Sequence, residues 1–178
     1  MILKDLTLED AQRARKWRNE FRQSLRTPFL LTDKMQQDFY HSLNGNSRMR
    51  YFAIQHEDVT IGMGGITGIE WENRLAEISL ILDPAKRGRG YGRQAVDLLL
   101  HEGFNNMNLA NIYGECYECN SAIMFWRKIC LEYGAYTTLL PFRKYWNGRY
   151  YGSLYFNIGG DKFGFNRDQK PGDGKDRQ

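Results

Sequence analysis

The stretch LILDPAKRGRGYG, residues 80–92, joins an apolar strand to a turn of glycines that opens a helix. The glycines stand at alternate positions: Gly88, Gly90 and Gly92. Arginines within and just after the stretch supply positive charge: Arg87, Arg89 and Arg93. Glycines leave backbone N–H groups unobstructed, and a helix start adds the positive end of its dipole at the same point. The stretch therefore predicts a phosphate-binding turn; the alternative is a solvated arginine- and glycine-rich loop.

The helix after this turn is amphipathic, with apolar residues at helical spacing: Tyr91, Ala95, Leu98 and Leu99. Two common phosphate motifs do not fit the turn. No Gly-Lys-Ser/Thr follows the glycines, which excludes a nucleotide P-loop, and Arg93 stands where a dinucleotide fingerprint requires glycine. What remains is the pattern Arg87-x-x-Gly90-x-Gly92 after a strand.

This pattern resembles the pyrophosphate loop of the GNAT superfamily of acetyl-CoA-dependent N-acetyltransferases, and the resemblance covers about residues 1–158. The segment CYECNSAIMFWRK, residues 116–128, is similar to the helix that follows a strand in that family. Cys119 stands at the family's usual asparagine, with Asn120 one place later. Trp126 replaces the tyrosine with which many members protonate the departing thiolate, and its side chain has no acidic proton to give.

The resemblance implies a single α/β (α+β) domain with a mixed, mostly antiparallel central sheet, flanking helices and two strands that splay at the cofactor site. It implies acetyl-CoA as co-substrate and backbone amides near Ile81 and Leu82 that polarise the acetyl carbonyl where the strand bulges. The implied cofactor-binding residues are Ile81, Leu82, Arg87, Gly88, Arg89, Gly90, Tyr91, Gly92, Arg93, Asn120 and Trp126.

Two residues are candidates for the proton transfers. An amine acceptor is mostly protonated at neutral pH and must lose a proton before it attacks a thioester. Glu77 lies in the apolar stretch LAEISLIL, residues 75–82, where a buried carboxylate is suited to act as the base; the alternative is a solvent-facing side chain. Tyr133 is the candidate donor to the thiolate, with Tyr117 and an ordered water as the other choices.

The acceptor is expected to contact two basic and aromatic segments, residues 22–31 and the hairpin around residues 141–149. Its predicted ligands are Arg22, Arg26, Tyr145 and Tyr151. Such side chains suit an anionic or planar acceptor better than a polyamine, which would need carboxylates. We therefore predict a small amine such as a nucleotide-linked amino sugar, with a protein N-terminus or lysine as the next choice.

Three rival functions use the same sequence features. A nucleic-acid-binding module would use the Arg/Tyr-rich hairpin, but a net charge of +4 gives no dense basic stripe. A catalytically inactive CoA-binding protein would account for Trp126. A thiol oxidoreductase would use the pair Cys116-x-x-Cys119. The spacing of the three histidines predicts no metal site.

Length and composition favour one domain, since 178 residues with 42% hydrophobic content bury one sizeable core. No apolar run reaches the roughly 20 residues that cross a bilayer, and three cysteines are an odd number for disulfides. A cytoplasmic protein without a membrane partner is therefore expected. The family resemblance adds a small-molecule amine acceptor, and a homodimer is compatible with it. The predicted element order is βααβββαβαββ over residues 1–158, followed by a polar, disordered tail over residues 159–178.

Overall fold

The computed structural model describes residues 1–163. Its strands are β1 (Ile2–Asp5), β2 (Met49–His56), β3 (Val59–Glu70), β4 (Leu75–Leu82), β5 (Asn111–Tyr117), β6 (Tyr136–Trp146) and β7 (Arg149–Gly159). Its α-helices are α1 (Leu8–Glu20), α2 (Asp33–Ser42), α3 (Tyr91–His101) and α4 (Ile123–Glu132). The strands form one sheet in the order β1-β2-β3-β4-β5-β7-β6. Within it only β4 and β5 are paired in parallel, so the mixed, mostly antiparallel sheet that the sequence predicts is confirmed.

The element order agrees with the predicted one, and local sequence signals explain several boundaries. Thr7 caps α1 through its hydroxyl, which accepts from the amide of Asp10 at 3.1 Å, and Thr32 caps α2 in the same way. At the β6–β7 turn, Asn147 and Gly148 have φ angles of 47° and 80°. Positive φ at both positions fits the two-residue hairpin turn that Asn-Gly predicts.

The chain continues in regular structure past the predicted domain end at residue 158. Strand β7 ends at Gly159, and a short 3₁₀ turn spans Gly160–Phe163. The rest of the predicted tail, residues 164–178, lies outside the described residues. No helix among residues 1–163 is both long enough and apolar enough to cross a membrane.

Strands β4 and β5 are paired over a short distance and then separate. Their register runs only from Leu75↔Asn111 to Glu77↔Tyr113, whereas β4 continues to Leu82 and β5 to Tyr117. The five remaining residues of β4, 78–82, therefore have one edge that β5 does not cover. This is the splayed strand pair that the family resemblance implies.

Glycines in β3 allow close packing on both faces of the sheet. A Cβ on Gly64 would lie 2.7 Å from Leu99 of α3, and one on Gly65 would lie 2.6 Å from the ring of Tyr51 on β2. Successive residues of a strand point to opposite faces, so α3 covers one face and Tyr51 lies on the other. The irregularity in β3 lies further along, between Thr67 and Glu70, where Gly68 has a φ of 58°.

The larger core fills the space between the sheet and the helices α3 and α4. Its fully buried large side chains include Ile66, Leu99, Leu100, Phe104, Ile112, Ile129 and Phe156. On β4 the core face is that of Ile78 and Leu80, so Glu77 and Ser79 point to the opposite face, where α1 packs on β3 and β4.

Candidate active site

The glycine turn between β4 and α3 holds two glycines in the left-handed region. Gly88 has a φ of 74° and Gly90 a φ of 79°, and a Cβ at either position would meet no atom within 4 Å. The backbone conformation, not crowding, therefore favours glycine here. Within residues 1–163 the amides of residues 88–90 have no hydrogen-bond acceptor. Because Gly90 is also the N-cap of α3, these amides and the helix start converge on one point.

A cavity of about 520 Å³ opens beside this turn. From the core face it is lined by Leu80, Leu82, Gly92, Phe125, Trp126 and Ile129. From the opposite face it is lined by Ile81 and by the segment after α1: Phe21, Ser24 and Leu25. The cavity thus runs through the gap between β4 and β5. Its size and mixed lining are those of a small-molecule site, and the unpaired amides at its mouth fit a diphosphate.

The uncovered edge of β4 presents backbone groups to the cavity. The amide of Asp83 donates to the carbonyl oxygen of Ile61 at 2.9 Å, and the β3–β4 register is unbroken from Gly62↔Leu82 to Thr67↔Glu77. The backbone groups of successive residues in an antiparallel strand point alternately to its two neighbours. The backbone of Ile81 is therefore bonded to β3, and the backbone N–H and C=O of Leu82 face the gap. The predicted bulge at Ile81 and Leu82 is therefore wrong, and of the two predicted amides only that of Leu82 is available.

The three arginines of the turn have different surroundings. Arg87 lines the cavity, and its guanidinium lies 3.7 Å from the ring centroid of Phe21 at the end of α1. Arg93 also lines the cavity and is held on α3 by Asp97, with Nε–H donating at 2.9 Å. The Arg89 side chain is not among the lining residues, so its contact with the cofactor stays a prediction.

Asn120 and Trp126 both line the cavity, as the segment 116–128 predicts. The Asn120 carboxamide oxygen accepts from the amide of Ala122 at 2.9 Å, so it stabilises the turn that starts α4. The Trp126 ring stacks on Phe156 with centroids 5.0 Å apart. Both side chains thus shape the wall of the cavity through contacts with the protein itself.

On the opposite face, two carboxylates stand where β4 and β5 diverge. Arg26 donates to both oxygens of Glu77, at 2.8 and 2.5 Å, and to Oε2 of Glu115 at 3.3 Å. The Glu77 side chain is 17% exposed, so it is not the freely solvated residue of the alternative interpretation. The hydrogen bond from Arg26 to Glu77 outweighs the effect of burial and raises the pKa of Arg26.

Glu115 is a functional candidate that sequence reasoning missed. Its side chain is only 5% exposed and accepts from Arg143 at 2.8 Å and from Ser153 at 2.7 Å. Burial alone would raise the pKa of this carboxyl, but the hydrogen bonds from Arg143 and Ser153 and the positive charges of Arg143 and Arg26 together outweigh it and lower the pKa. The alternation Tyr113, Glu115, Tyr117 in β5 was the available signal, because it puts Glu115 on the same face as Glu77 once the two strands are paired.

A model of the acetyltransferase (GNAT) domain family matches residues 1–124, more than two thirds of the chain. The chain belongs to this family. The resemblance that the glycine turn indicated is thereby confirmed. Among curated relatives, the spermidine N(1)-acetyltransferase of Vibrio cholerae is 24% identical over 86 residues, and the uncharacterized N-acetyltransferase p20 of Bacillus licheniformis is 34% identical over 71 residues. These matches span 48% and 40% of this chain, and half or less of each relative.

Solved structures with the same fold cover nearly the whole chain. The spermidine N-acetyltransferase of Vibrio cholerae in complex with CoA and spermine has a TM-score of 0.80 at 21% identity, covering 90% of this chain and 96% of that one. A dodecameric structure of spermidine N-acetyltransferase from the same organism has a TM-score of 0.77 at 22% identity, covering 94% and 97%. At this identity the likeness shows a shared fold.

The structure places Tyr133 away from the cavity lining, which speaks against its predicted role as proton donor. Its hydroxyl donates to Asp97 on α3, and the guanidinium of Arg93 lies 4.8 Å from its ring centroid. Burial and the hydrogen bond to Asp97 raise the pKa of Tyr133 to about 12. Among the described residues, the side-chain hydroxyls that line the cavity belong to Ser24, Tyr91 and Ser121.

The predicted acceptor ligands do not form one group. Arg26 sits on the two carboxylates, whereas the guanidinium of Arg22 lies 5.8 Å from the ring centroid of Trp146 on β6. Tyr145 is 60% exposed and packs against Tyr150, and the Tyr151 hydroxyl accepts from Arg149 at 2.5 Å. Of these predicted ligands, Arg26 alone touches a candidate catalytic residue.

The sequence gives no sign of the burial of Lys144, which is 6% exposed. Its ammonium donates to the carbonyl oxygen of Leu25, and burial lowers its pKa. Sequence reasoning assigned this stretch of β6 to the acceptor surface as basic and aromatic. The structure uses Lys144 instead to hold the segment between α1 and Arg26.

The cysteines do not have the properties of a redox pair. Cys116 is buried, and that burial raises the pKa of its thiol to about 12. Burial likewise raises the pKa of Cys119, whose Sγ donates to the carbonyl oxygen of Gln23 at 3.3 Å. Reactive thiols require a lowered pKa, so the structure argues against the thiol oxidoreductase. Within the described residues no group of three or more His, Cys, Asp or Glu side chains is placed to hold a metal ion.

Proposed function

We propose that this chain is an N-acetyltransferase that transfers an acetyl group from acetyl-CoA to the primary amine of a small acceptor. The observation that carries the proposal is the cavity through the separated strands β4 and β5. It has unpaired amides at the glycine turn on one side, and Glu77 and Glu115 lie on the other face of the sheet where the strands part. Cofactor and acceptor can then meet between the strands.

The residues of the cofactor side bind and orient acetyl-CoA. The amides of residues 88–90 and the start of α3 hold the diphosphate, and Arg87 and Arg93 add charge beside it. The amide of Leu82 faces the gap and is placed to polarise a carbonyl there. Acetyl-CoA supplies the acetyl thioester. Leu80, Phe125 and Trp126 give this part of the cavity an apolar lining, which is unfavourable for water.

Glu77 is the proposed base for the acceptor amine. A carboxylate has about four lone-pair sites on its two oxygens, and the bidentate contact with Arg26 uses one on each oxygen. One site on each oxygen is left for an N–H group of the acceptor. Glu77 can therefore take the proton of the amine while Arg26 holds its carboxylate in place.

For the acceptor we propose a small anionic amine such as a nucleotide-linked amino sugar. Glu77 and Glu115 are balanced by Arg26 and Arg143, and the buried Lys144 adds a further positive charge. A polyamine is the second candidate. It is favoured by the two carboxylates and by the Vibrio cholerae relative, which is a spermidine acetyltransferase by name. A protein N-terminus or lysine, cytoplasmic location and a homodimer remain predictions of the sequence.

The test is a panel of amines scored by release of free CoA from acetyl-CoA: amino sugars, their phosphates and nucleotides, polyamines and peptides. We expect turnover with at least one small primary amine and the highest rates with anionic ones. Binding of CoA without turnover of any amine would support the catalytically inactive CoA-binding alternative. Binding of nucleic acid that weakens steeply with salt, without binding of CoA, would support the nucleic-acid module.

A further inference from the structure

Arg26 joins the two strands that the cavity separates. Its Nη1 and Nη2 groups donate to Glu77 of β4, and Nη2 also reaches Glu115 of β5 at 3.3 Å. The side chain of Arg26 is 56% exposed, while those of Glu77 and Glu115 are 17% and 5% exposed. The guanidinium therefore lies over the two carboxylates with part of its surface turned to solvent.

The backbone that carries Arg26 is held in place by neighbouring elements. Three consecutive carbonyl oxygens before it, those of Gln23, Ser24 and Leu25, each accept a hydrogen bond. The donors are side chains of the β5–α4 connection and of β6: Cys119, Asn120 and Lys144. Ser24 and Leu25 also line the cavity, so Arg26 directly follows a cavity-lining segment that these hydrogen bonds hold in place.

We propose that Arg26 determines which class of amine this site accepts, by neutralising Glu77 and Glu115 against polycations and offering its exposed guanidinium surface to an anionic group of the acceptor. This inference rests on the proposed function, since it assumes that an amine enters beside Glu77. Within residues 1–163, Arg26 is the one cation paired with Glu77, and Glu115 is paired with Arg26 and Arg143. Loss of Arg26 would therefore leave Glu77 without a paired cation and Glu115 with Arg143 alone.

The physical argument is one of charge complementarity. A polyamine is attracted to carboxylates that have no other cation and is repelled by a guanidinium beside them. An acceptor that carries a phosphate is attracted to the same guanidinium, whose planar group binds phosphate oxygens in pairs. The two ligand classes are therefore expected to respond to the loss of Arg26 in opposite directions.

The test measures binding by calorimetry in the presence of CoA, with spermidine and glucosamine 6-phosphate as the two probes. The unaltered chain is expected to bind glucosamine 6-phosphate more tightly than spermidine. In Arg26→Gln we expect spermidine to bind at least about 10-fold more tightly and glucosamine 6-phosphate to bind more weakly by a similar factor. Arg26→Lys, which keeps the charge, is expected to keep the original order.

The matched control is Arg127→Gln, the same change at an exposed arginine of α4, which is expected to leave both affinities unchanged. A preference of the unaltered chain for spermidine overturns the inference even where Arg26→Gln does not fold. Unchanged affinities in a folded Arg26→Gln, or no binding of either probe to any variant, overturn it too. Free-CoA release is recorded in parallel. Opposite affinity changes without acetylation would support the role of Arg26 and refute the proposed function. Acetylation with unchanged affinities would support the proposed function and refute the role of Arg26.

Discussion

The proposed cofactor side and the proposed acceptor side of the site are assembled in different ways. On the cofactor side, the amides proposed to hold the diphosphate come from one continuous stretch, residues 80–92. The acceptor side joins Arg26 to Glu77 and Glu115, which lie 51 and 89 residues away in sequence, and each contact is made by side chains. A local backbone motif can be recognised in a sequence, whereas a cluster of distant side chains requires the sheet to bring them together.

The largest expected effect is a loss of turnover that leaves cofactor binding intact, and it distinguishes the acceptor side from the cofactor side. In Glu77→Gln we expect kcat to fall by about 100-fold or more, the usual effect of removing a general base, while affinity for CoA stays unchanged. Steady-state kinetics and calorimetry with CoA measure the two quantities. The matched control is Glu9→Gln, whose side chain on α1 is 75% exposed. A normal kcat in Glu77→Gln would remove Glu77 as the base.

The next effect acts on the cofactor side. Gly90 has a φ of 79°, a conformation that costs a residue with a side chain roughly 1–2 kcal/mol, and its Cβ would project where the turn is open. In Gly90→Val we expect the affinity for CoA to fall by about 10-fold or more, with kcat at saturating acetyl-CoA less affected. Calorimetry with CoA measures the change.

Gly45 offers the control for this substitution, because its φ is 70° and a Cβ there would also meet nothing within 4 Å. Gly45→Val is therefore expected to produce the same local strain without weakening CoA binding. Equal losses of affinity in the two variants would show that strain alone is responsible and that the turn does not bind the cofactor.

The smallest effect concerns the stability of the acceptor side at acidic pH. The folded chain lowers the pKa of Glu115 from its ordinary value of 4.5, because hydrogen bonds from Arg143 and Ser153 and the charges of Arg143 and Arg26 together outweigh its burial. The unfolded chain then binds more protons, so this stabilisation is present above pH 4.5 and is lost as the pH falls through the lower folded pKa. Thermal unfolding from neutral to acidic pH is expected to show a steeper loss of Tm in the unaltered chain than in Glu115→Gln. A constant Tm difference between the two proteins would contradict this assignment.

Single residues show which features of the structure could be predicted from the sequence. The order of elements and the Asn147-Gly148 turn follow from local propensities, and the structure has them. The bulge at Ile81 and Leu82 was wrong because strand register is set by pairing with β3, which no local pattern encodes. Tyr133 is a candidate donor because Trp126 has no acidic proton, but the direction of its hydroxyl depends on Asp97, 36 residues away. Glu115 was overlooked because its partners lie on β6, β7 and the segment after α1.

The sequence by itself determined the strand, glycine turn and helix that we propose as a phosphate site, because backbone conformation there depends on glycines and apolar spacing within a few residues. It determined the family for the same reason. Only the tertiary structure decided that β4 and β5 separate after Glu77, that Arg26 covers the two carboxylates and that Lys144 is buried against Leu25. These features depend on side chains brought together by sheet pairing. Their hydrogen bonds and ion pairs form only once the strands that carry them are in register.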